Sequence, residues 1–193
     1  MRQIFLLIFL ILTGVVKGQN TIEWDSRYQL QLSDFQSIAT QIGQSNNYSI
    51  HSGANIGFSF YMTNAEFMFT KNFNSKVNCS FNRNSATLVA PDSVYAADML
   101  NFARYGFDLS ELYARKFRKK LFEEKAAFSD ASFFRPLFDE IQREFAEEHT
   151  IAGTITDLGR NREKLSELHQ KVLEEIDQLS DFCKLCKPPK KKR

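Results

Sequence analysis

Residues 102–116 read FARYGFDLSELYARK, and they lie at the centre of a long helical pattern. Apolar residues in and around this segment recur at spacings of three, four or seven, as on one face of a helix. They are Ala96, Leu100, Ala103, Phe107, Ala114, Phe117 and Leu121. The pattern predicts one amphipathic helix from about residue 94 to residue 125. Most charged residues fall on its other faces, where Arg104/Asp108 and Glu111/Arg115 are spaced for i,i+4 pairs, and we expect a solvent-facing flank there.

The residues before this helix predict short strands, because apolar and polar side chains alternate in them. The strand patterns cover residues 56–61, 65–70, 77–81 and 86–89, with a turn at Thr63-Asn64 between the first two. Residues 21–35 have an extended pattern, and the polar residues 36–51 predict a loop. Asp92 or Ser93 is expected to cap the central helix.

Two further helices are predicted after the central one. The first begins near Asp130 or Ser132 and is broken within residues 150–159, which contain Gly153 and Gly159. The second covers residues 161–182. Strands followed by helices predict an α+β fold, with a small, mainly antiparallel sheet packed on the long central helix and the two C-terminal helices.

Residues 1–18 have the features of a secretory signal peptide. Arg2 precedes an uninterrupted apolar run over residues 4–12, and Val16-Lys17-Gly18 resembles a small-residue cleavage site. We therefore expect cleavage after Gly18 and a secreted or periplasmic protein. A retained membrane anchor is the lesser alternative, because a span requires about 20 apolar residues.

Residues 19–182 are long enough for a single domain, and 19 phenylalanines in the chain predict an aromatic core. Six of the 25 basic residues lie in the last ten positions, so the domain before them is acidic. This distribution predicts no nucleic-acid partner. Residues 183–193 are expected to form a flexible basic tail that either contacts an anionic membrane surface or is simply solvated.

The decapeptide FDLSELYARK, Phe107 to Lys116, resembles a segment of a family of predicted secreted bacterial zinc-dependent proteases, otherwise classed as a domain of unknown function. In that family the segment directly follows a His-Glu-x-x-His motif, whose two histidines bind zinc and whose glutamate activates water. Trp24 and Asp34-Phe35 match the family's N-terminal pattern in part. The resemblance implies a zincin-like fold.

The three catalytic positions of that motif correspond here to Phe102, Ala103 and Gly106. None of these side chains binds a metal or accepts a proton. The resemblance therefore implies a degenerate member without a zinc motif, without catalytic residues and without a cofactor.

His149 is the one candidate for a residual metal site. It lies two residues before the position that corresponds to the family's third ligand, and a small gap would align it. One histidine does not replace three lost groups, and His51 and His169 are isolated in the sequence. A partly exposed histidine near a helix terminus is the simpler interpretation.

Cys183 and Cys186 have CxxC spacing, but they have no second CxxC and do not open a helix after a strand. In an oxidising compartment we expect a disulfide, either between these two or from Cys79 to one of them.

Together these features predict a secreted or periplasmic, non-catalytic relative of the zinc-dependent proteases. Its work would be binding or structural in the cell envelope, with an unknown protein or envelope partner. The alternative is an active secreted metal-dependent hydrolase, a peptidase, with a displaced zinc site that includes His149. A thiol-redox role for Cys183 and Cys186 ranks third.

Overall fold

The computed structural model describes residues 20–125 and 131–189. Six short strands occupy the N-terminal half of this part of the chain. They are β1 (Thr21–Glu23), β2 (Gln41–Ile42), β3 (Ser49–His51), β4 (Ala54–Phe58), β5 (Val77–Asn82) and β6 (Thr87–Ala90). With the helices that follow, they make the fold α+β, as the element order predicts.

The strands form two small sheets, so the prediction of a single sheet was wrong. One sheet has the order β1-β5-β4 and is antiparallel throughout; the other has the order β2-β6-β3 and is mixed, because β2 runs parallel to β6. Both edges of β5 are occupied by β1 and β4. After the turn that follows β5, β6 therefore pairs with β2 and β3, which lie inside the polar segment that was predicted to be a loop.

Helix α1 (Asn64–Phe69) replaces the strand predicted over residues 65–70. The Thr63 hydroxyl accepts a hydrogen bond from the Glu66 amide at 3.1 Å and caps the helix. Phe67 is buried and Phe69 is exposed, so the alternation of phenylalanines did not reflect a strand. The Thr-x-x-Glu spacing at residues 63–66 was the signal that sequence reasoning missed.

Helix α2 (Ser93–Glu124) confirms the predicted central helix, and the Asp92 carboxylate caps it by accepting hydrogen bonds from the Val94 and Tyr95 amides. It contacts β4 and β5 of the first sheet and β6 of the second. Its apolar face is fully buried, since the relative exposure of Ala96, Ala103 and Phe117 is zero. The core of the protein therefore surrounds this helix.

Helices α3 (Phe134–Thr156) and α4 (Arg162–Gln178) both pack on α2. The predicted break after α3 within residues 150–159 is confirmed, although Gly153 serves close packing and does not end the helix. A Cβ atom at Gly153 would lie 3.3 Å from Cζ of Phe102. The chain turns instead at Asp157, Leu158 and Gly159, which all have positive φ.

The α4 helix ends at Gln178, and a short 3-10 helix (Ser180–Phe182) follows it, so the predicted last helix was too long by this turn. Asp130, one of the two predicted caps of α3, lies outside the described residues. Ser132 belongs to a 3-10 turn that precedes α3.

The aromatic core is assembled from edge-to-face rings. Phe58 of β4 meets Phe117 of α2 at 5.2 Å and Phe134 of α3 at 5.0 Å between ring centroids. Phe134 also meets Phe67 and Phe73, at 5.1 Å and 5.3 Å. These contacts join the first sheet, α1, α2 and α3 into one core.

The charged flank of α2 is buried, which contradicts the expectation of a solvent-facing flank. Glu111, Arg115 and Arg118 have relative exposures of 3%, 7% and 1%. The Glu111–Arg115 pair is formed as predicted, at 2.9 Å, but it is covered by β1, β5 and the segment after α4. Periodicity failed here because both faces of the helix are covered by other elements.

Candidate functional site

Phe102, Ala103 and Gly106, the positions that correspond to the zinc motif, lie on a buried part of α2. Phe102 stacks on Tyr105 with 6.0 Å between ring centroids. A Cβ atom at Gly159 would lie 3.2 Å from Cβ of Phe102, so the turn after α3 closes tightly over this position. These positions are filled with packed core.

His149 of α3 lies directly against this part of α2. Its ring is 4.9 Å from that of Phe102 and 5.8 Å from that of Phe145. A Cβ atom at Gly106 would lie 2.8 Å from Nε2 of His149, so the imidazole occupies the space that a side chain at Gly106 would need. The structure thus brings together Gly106 and the one histidine that the sequence singled out.

Burial lowers the pKa of His149, because desolvation disfavours the charged imidazolium. A neutral imidazole is the form that binds metals. Its ring neighbours, Phe102 and Phe145, offer only carbon, however. Within residues 20–125 and 131–189, no group of three or more His, Cys, Asp or Glu side chains is placed to hold a metal ion. The side chains described here therefore do not fit the donor set of a tetrahedral zinc site.

Asp108 connects three elements next to this region. Its carboxylate accepts a hydrogen bond from Nε1 of Trp24 at 2.7 Å, and its other oxygen lies 2.7 Å from Nε2 of His169 on α4. The predicted pair with Arg104 is not formed, because the Arg104 guanidinium donates to the carbonyl of Leu30 and to Asn101. Sequence reasoning missed this link, since neither Trp24 nor His169 is near Asp108 in the chain.

Tyr105 lies between the packing around His149 and the ring of His169. It stacks on Phe102 and meets the ring of His169 edge-on at 6.0 Å. Its hydroxyl is buried and has no hydrogen-bond partner among the described residues. Burial, with the negative charge of Glu148, raises the pKa of Tyr105. A buried donor without a partner is rare in proteins, and a water molecule or a ligand atom would satisfy it.

A shallow pocket of about 320 Å³ opens beside His169 and is also lined by Arg104, Arg162 and Ser166. Asp108 binds Nε2 of His169 and fixes the ring orientation, which leaves Nδ1 as the free nitrogen. In the part of the chain described here, Asp108 is the hydrogen-bond partner of that imidazole. An oriented histidine of this kind can move a proton, but among residues 20–125 and 131–189 no nucleophilic side chain is bonded to it.

The two cysteines of the CxxC motif, Cys183 and Cys186, form a disulfide. Cys79 is a free, buried thiol, and its sulfur lies 2.9 Å from the Ser110 hydroxyl. The alternative disulfide with Cys79 is therefore not the one formed. Burial, above all, raises the pKa of Cys79 well above its ordinary value, so this thiol stays protonated. The side chain of Asn74 donates to the Cys186 carbonyl at 3.1 Å and holds the disulfide turn in place.

The remaining predictions concern the two ends of the chain and His51. The predicted signal peptide, residues 1–18, and the last four residues of the basic tail, 190–193, lie outside the described residues. His51 is exposed on β3, away from the site. Among the helices of the described ranges, none combines the length and the apolar character needed to cross a membrane.

Comparison with known proteins adds no relative: no family model matches the chain, and no curated protein or solved structure is significantly similar to it. The relationship to secreted zinc-dependent proteases therefore stays a prediction based on residues 107–116 and the partial N-terminal pattern.

Proposed function

We propose that this protein is an exported, non-catalytic binding protein, built on a zincin-like α+β fold that has lost its zinc motif. The packing around Gly106 carries the proposal. If the ancestral helix held a histidine there, that side chain would occupy the volume that the imidazole of His149 now fills. A glutamate at Ala103 would be buried in the core, because Ala103 has no exposed surface.

The rest of the site supports the same conclusion. Phe102 stacks on Tyr105 and meets the ring of His149 at a tilt, so aromatic rings fill the place where a hydrolytic site would need water and an open metal position. Aromatic packing of this kind stabilises a core or a binding surface, and the water-activating glutamate of the motif has no counterpart, because position 103 is alanine.

The deciding experiment is the zinc content of the mature chain, residues 19–193, purified without chelator and dialysed against metal-free buffer. We expect far less than one equivalent of zinc per chain and no hydrolysis of general protease substrates. About one zinc per chain that is lost on His149→Ala substitution would overturn the proposal.

That second outcome would support the alternative, a secreted metal-dependent peptidase with a displaced site. The observation that favours this alternative is the position of His149, which lies against Gly106 with a lowered pKa. A peptidase activity that a chelator removes and zinc restores would establish it.

The envelope location is part of the proposal and rests on residues 1–18. The basic residues of the C-terminal tail would bring the protein to anionic membrane surface. Fractionation of cells that express the full chain, with N-terminal sequencing of the exported form, tests both cleavage after Gly18 and membrane association.

A further inference from the structure

A second cavity, of about 470 Å³, lies beside α2, and none of the described histidines lines it. It is enclosed by β1 and the residues after it, by β5, by α2 and by the disulfide turn. Its volume falls in the range of small-molecule sites. The lining residues used below are Glu23, Trp24, Asp25, Glu111, Arg115, Arg118, Lys184 and Leu185.

The floor of this cavity carries two buried arginines and one buried carboxylate. Nε of Arg115 and Nη1 of Arg118 both lie 2.9 Å from the same oxygen of Glu111. The two guanidinium groups also donate hydrogen bonds to backbone carbonyls. Arg115 donates to Ile176, and Arg118 donates to Val77 and Phe182. Carbonyls contribute no formal charge, so the floor holds one positive charge in excess.

The carboxylates at the rim do not balance this charge, because each has a basic partner of its own. Asp25 pairs with Arg27 at 2.9 Å, and Glu23 pairs with Lys184 at 2.5 Å. Arg27 holds the pKa of Asp25 at about 2 through hydrogen bonds to its carboxylate. The next carboxylate on α2, Asp108, is bonded to Trp24 and His169 and does not contact the arginines. The two buried arginines therefore share Glu111 as their one contacting carboxylate among the described residues, and a buried charge without a partner of its own is costly.

Two donors of these arginines are still open. Nε of Arg118 is buried and has no hydrogen-bond partner among the described residues. Arg115 uses Nε and Nη1, and no described side chain or carbonyl accepts from its Nη2. A planar guanidinium with open donors binds a carboxylate better than it binds water, because the bond is charge-assisted.

Two large apolar side chains, Trp24 and Leu185, line the cavity together with these charged groups. Trp24 is half-buried, and the Arg115 guanidinium lies 5.5 Å from the centre of its ring. Leu185 is 88% exposed and lies in the turn that the Cys183–Cys186 disulfide closes. A ligand whose anionic end reaches Arg115 would place its body against these two side chains.

We propose that this cavity binds a small organic monocarboxylate with a flat apolar body, whose carboxylate supplies the negative charge missing beside Arg115 and Arg118. This inference names a class of ligand for the proposed binding function, and it rests on that function only because both describe a binding protein. It needs neither the protease relationship nor the former zinc positions.

The test uses the fluorescence of Trp24, which is the only tryptophan in the chain and lines the cavity. The mature, disulfide-bonded protein is titrated with phenylacetate and, separately, with phenylacetamide, which has the same shape without the charge. We expect a saturable change with phenylacetate and at least tenfold weaker binding of the amide, since a hydrogen bond to a charged group is lost.

Arg115→Gln tests the position of the anion. Glu111 keeps Arg118 as its partner in this variant, so no buried carboxylate is left alone. We expect phenylacetate to bind about tenfold to a hundredfold more weakly, with the amide unaffected. Arg104→Gln is the matched control, because Arg104 lies on the same helix but outside this cavity, and we expect wild-type binding.

Equal affinity for phenylacetate and phenylacetamide in the wild-type protein would overturn the inference, as would the absence of saturation by both. The comparison of phenylacetate with phenylacetamide in the wild-type protein tests the inference even if the Arg115→Gln variant does not fold. An unchanged affinity in a folded Arg115→Gln variant would also overturn it. None of these outcomes changes the expected zinc content, so this inference and the proposed function fail separately.

Discussion

At the scale of single residues, the packing between α2 and α3 pairs a small residue, Gly106, with a large one, His149. Gly106 leaves room on α2, and the imidazole of His149 takes that room between Phe102 and Phe145. Because the two residues share one volume, the effect of changing either one depends on the other.

Gly106→Ala tests this sharing. The new methyl group would lie 2.8 Å from Nε2 of His149, and overpacking of a core costs about 1–3 kcal/mol, against a gain of about 1 kcal/mol in helix propensity. We expect the substitution to lower the free energy of unfolding in the wild-type protein and to raise it, by up to about 1 kcal/mol, in a His149→Ala background. Urea denaturation of the four proteins measures this coupling. If Gly106→Ala has the same effect in both backgrounds, the two residues do not share a volume.

The lowered pKa of His149 predicts a dependence of stability on pH. The ordinary value is 6.5, so the unfolded chain binds a proton at His149 as the pH falls below about 6.5, while the folded protein binds it only at lower pH. Stability is therefore complete above pH 6.5 and is lost as the pH falls toward the pKa of the folded state. In a His149→Phe variant we expect a smaller loss between pH 7.5 and pH 5.5, measured by urea denaturation. His51→Gln, at an exposed position, should retain the wild-type dependence.

At the scale of elements, the central helix shows which features can be predicted from a sequence. The extent of α2, its Asp92 cap and its apolar face follow from local periodicity and capping, and these predictions were confirmed. The burial of Glu111 and Arg118 depends on β5 and on the segment after α4, whose carbonyls bind Arg118 from 41 and 64 positions away in the chain. Helical spacing carries no information about such partners.

In the candidate site, too, some residues could be singled out from the sequence and some contacts could not. The resemblance singled out Phe102, Gly106 and His149, and the structure brings these three residues into contact. Their correspondence to zinc-motif positions stays a prediction. The link from Trp24 through Asp108 to His169 could not be predicted, because each residue alone looks like ordinary surface or core. The α1 error has a local cause, since alternating phenylalanines were weighed above the Thr63 cap.

The buried charges of α2 predict a large effect of one substitution. Glu111→Gln would leave Arg115 and Arg118 buried without a carboxylate, and breaking a buried ion pair in this way costs about 3–5 kcal/mol. We expect a corresponding fall in the free energy of unfolding, measured by urea denaturation. Glu167→Gln is the matched control, because the Lys164–Glu167 pair is exposed, and it should leave stability unchanged. A small effect at Glu111 would mean that solvent reaches the arginines.

At the scale of the whole molecule, α2 makes the described part of the chain one structural unit. It contacts both sheets and both C-terminal helices, and the carbonyls of Ile176 and Phe182 bind arginines on its charged face. The N-terminal strands and the C-terminal helices pack on this one helix, and Arg118 is bonded to both parts, at Val77 and at Phe182. We therefore expect one cooperative unfolding transition with identical midpoints by circular dichroism and by Trp24 fluorescence.

Removing α4 and everything after it tests whether the N-terminal part can fold alone. A chain of residues 19–159 lacks His169, Ile176 and Phe182, so Asp108 loses one partner and Arg115 and Arg118 each lose a carbonyl acceptor. It also exposes the face of α2 that α4 covers. We expect this fragment to show helical circular dichroism without a cooperative transition and to bind a hydrophobic dye, as a molten globule does.

A chain of residues 19–189 keeps all these contacts, and we expect it to unfold at the wild-type midpoint. Cooperative unfolding of the 19–159 fragment at that same midpoint would show that α4 and the disulfide turn are accessories to an independent domain, and the cavity beside Trp24 would then lie between two units.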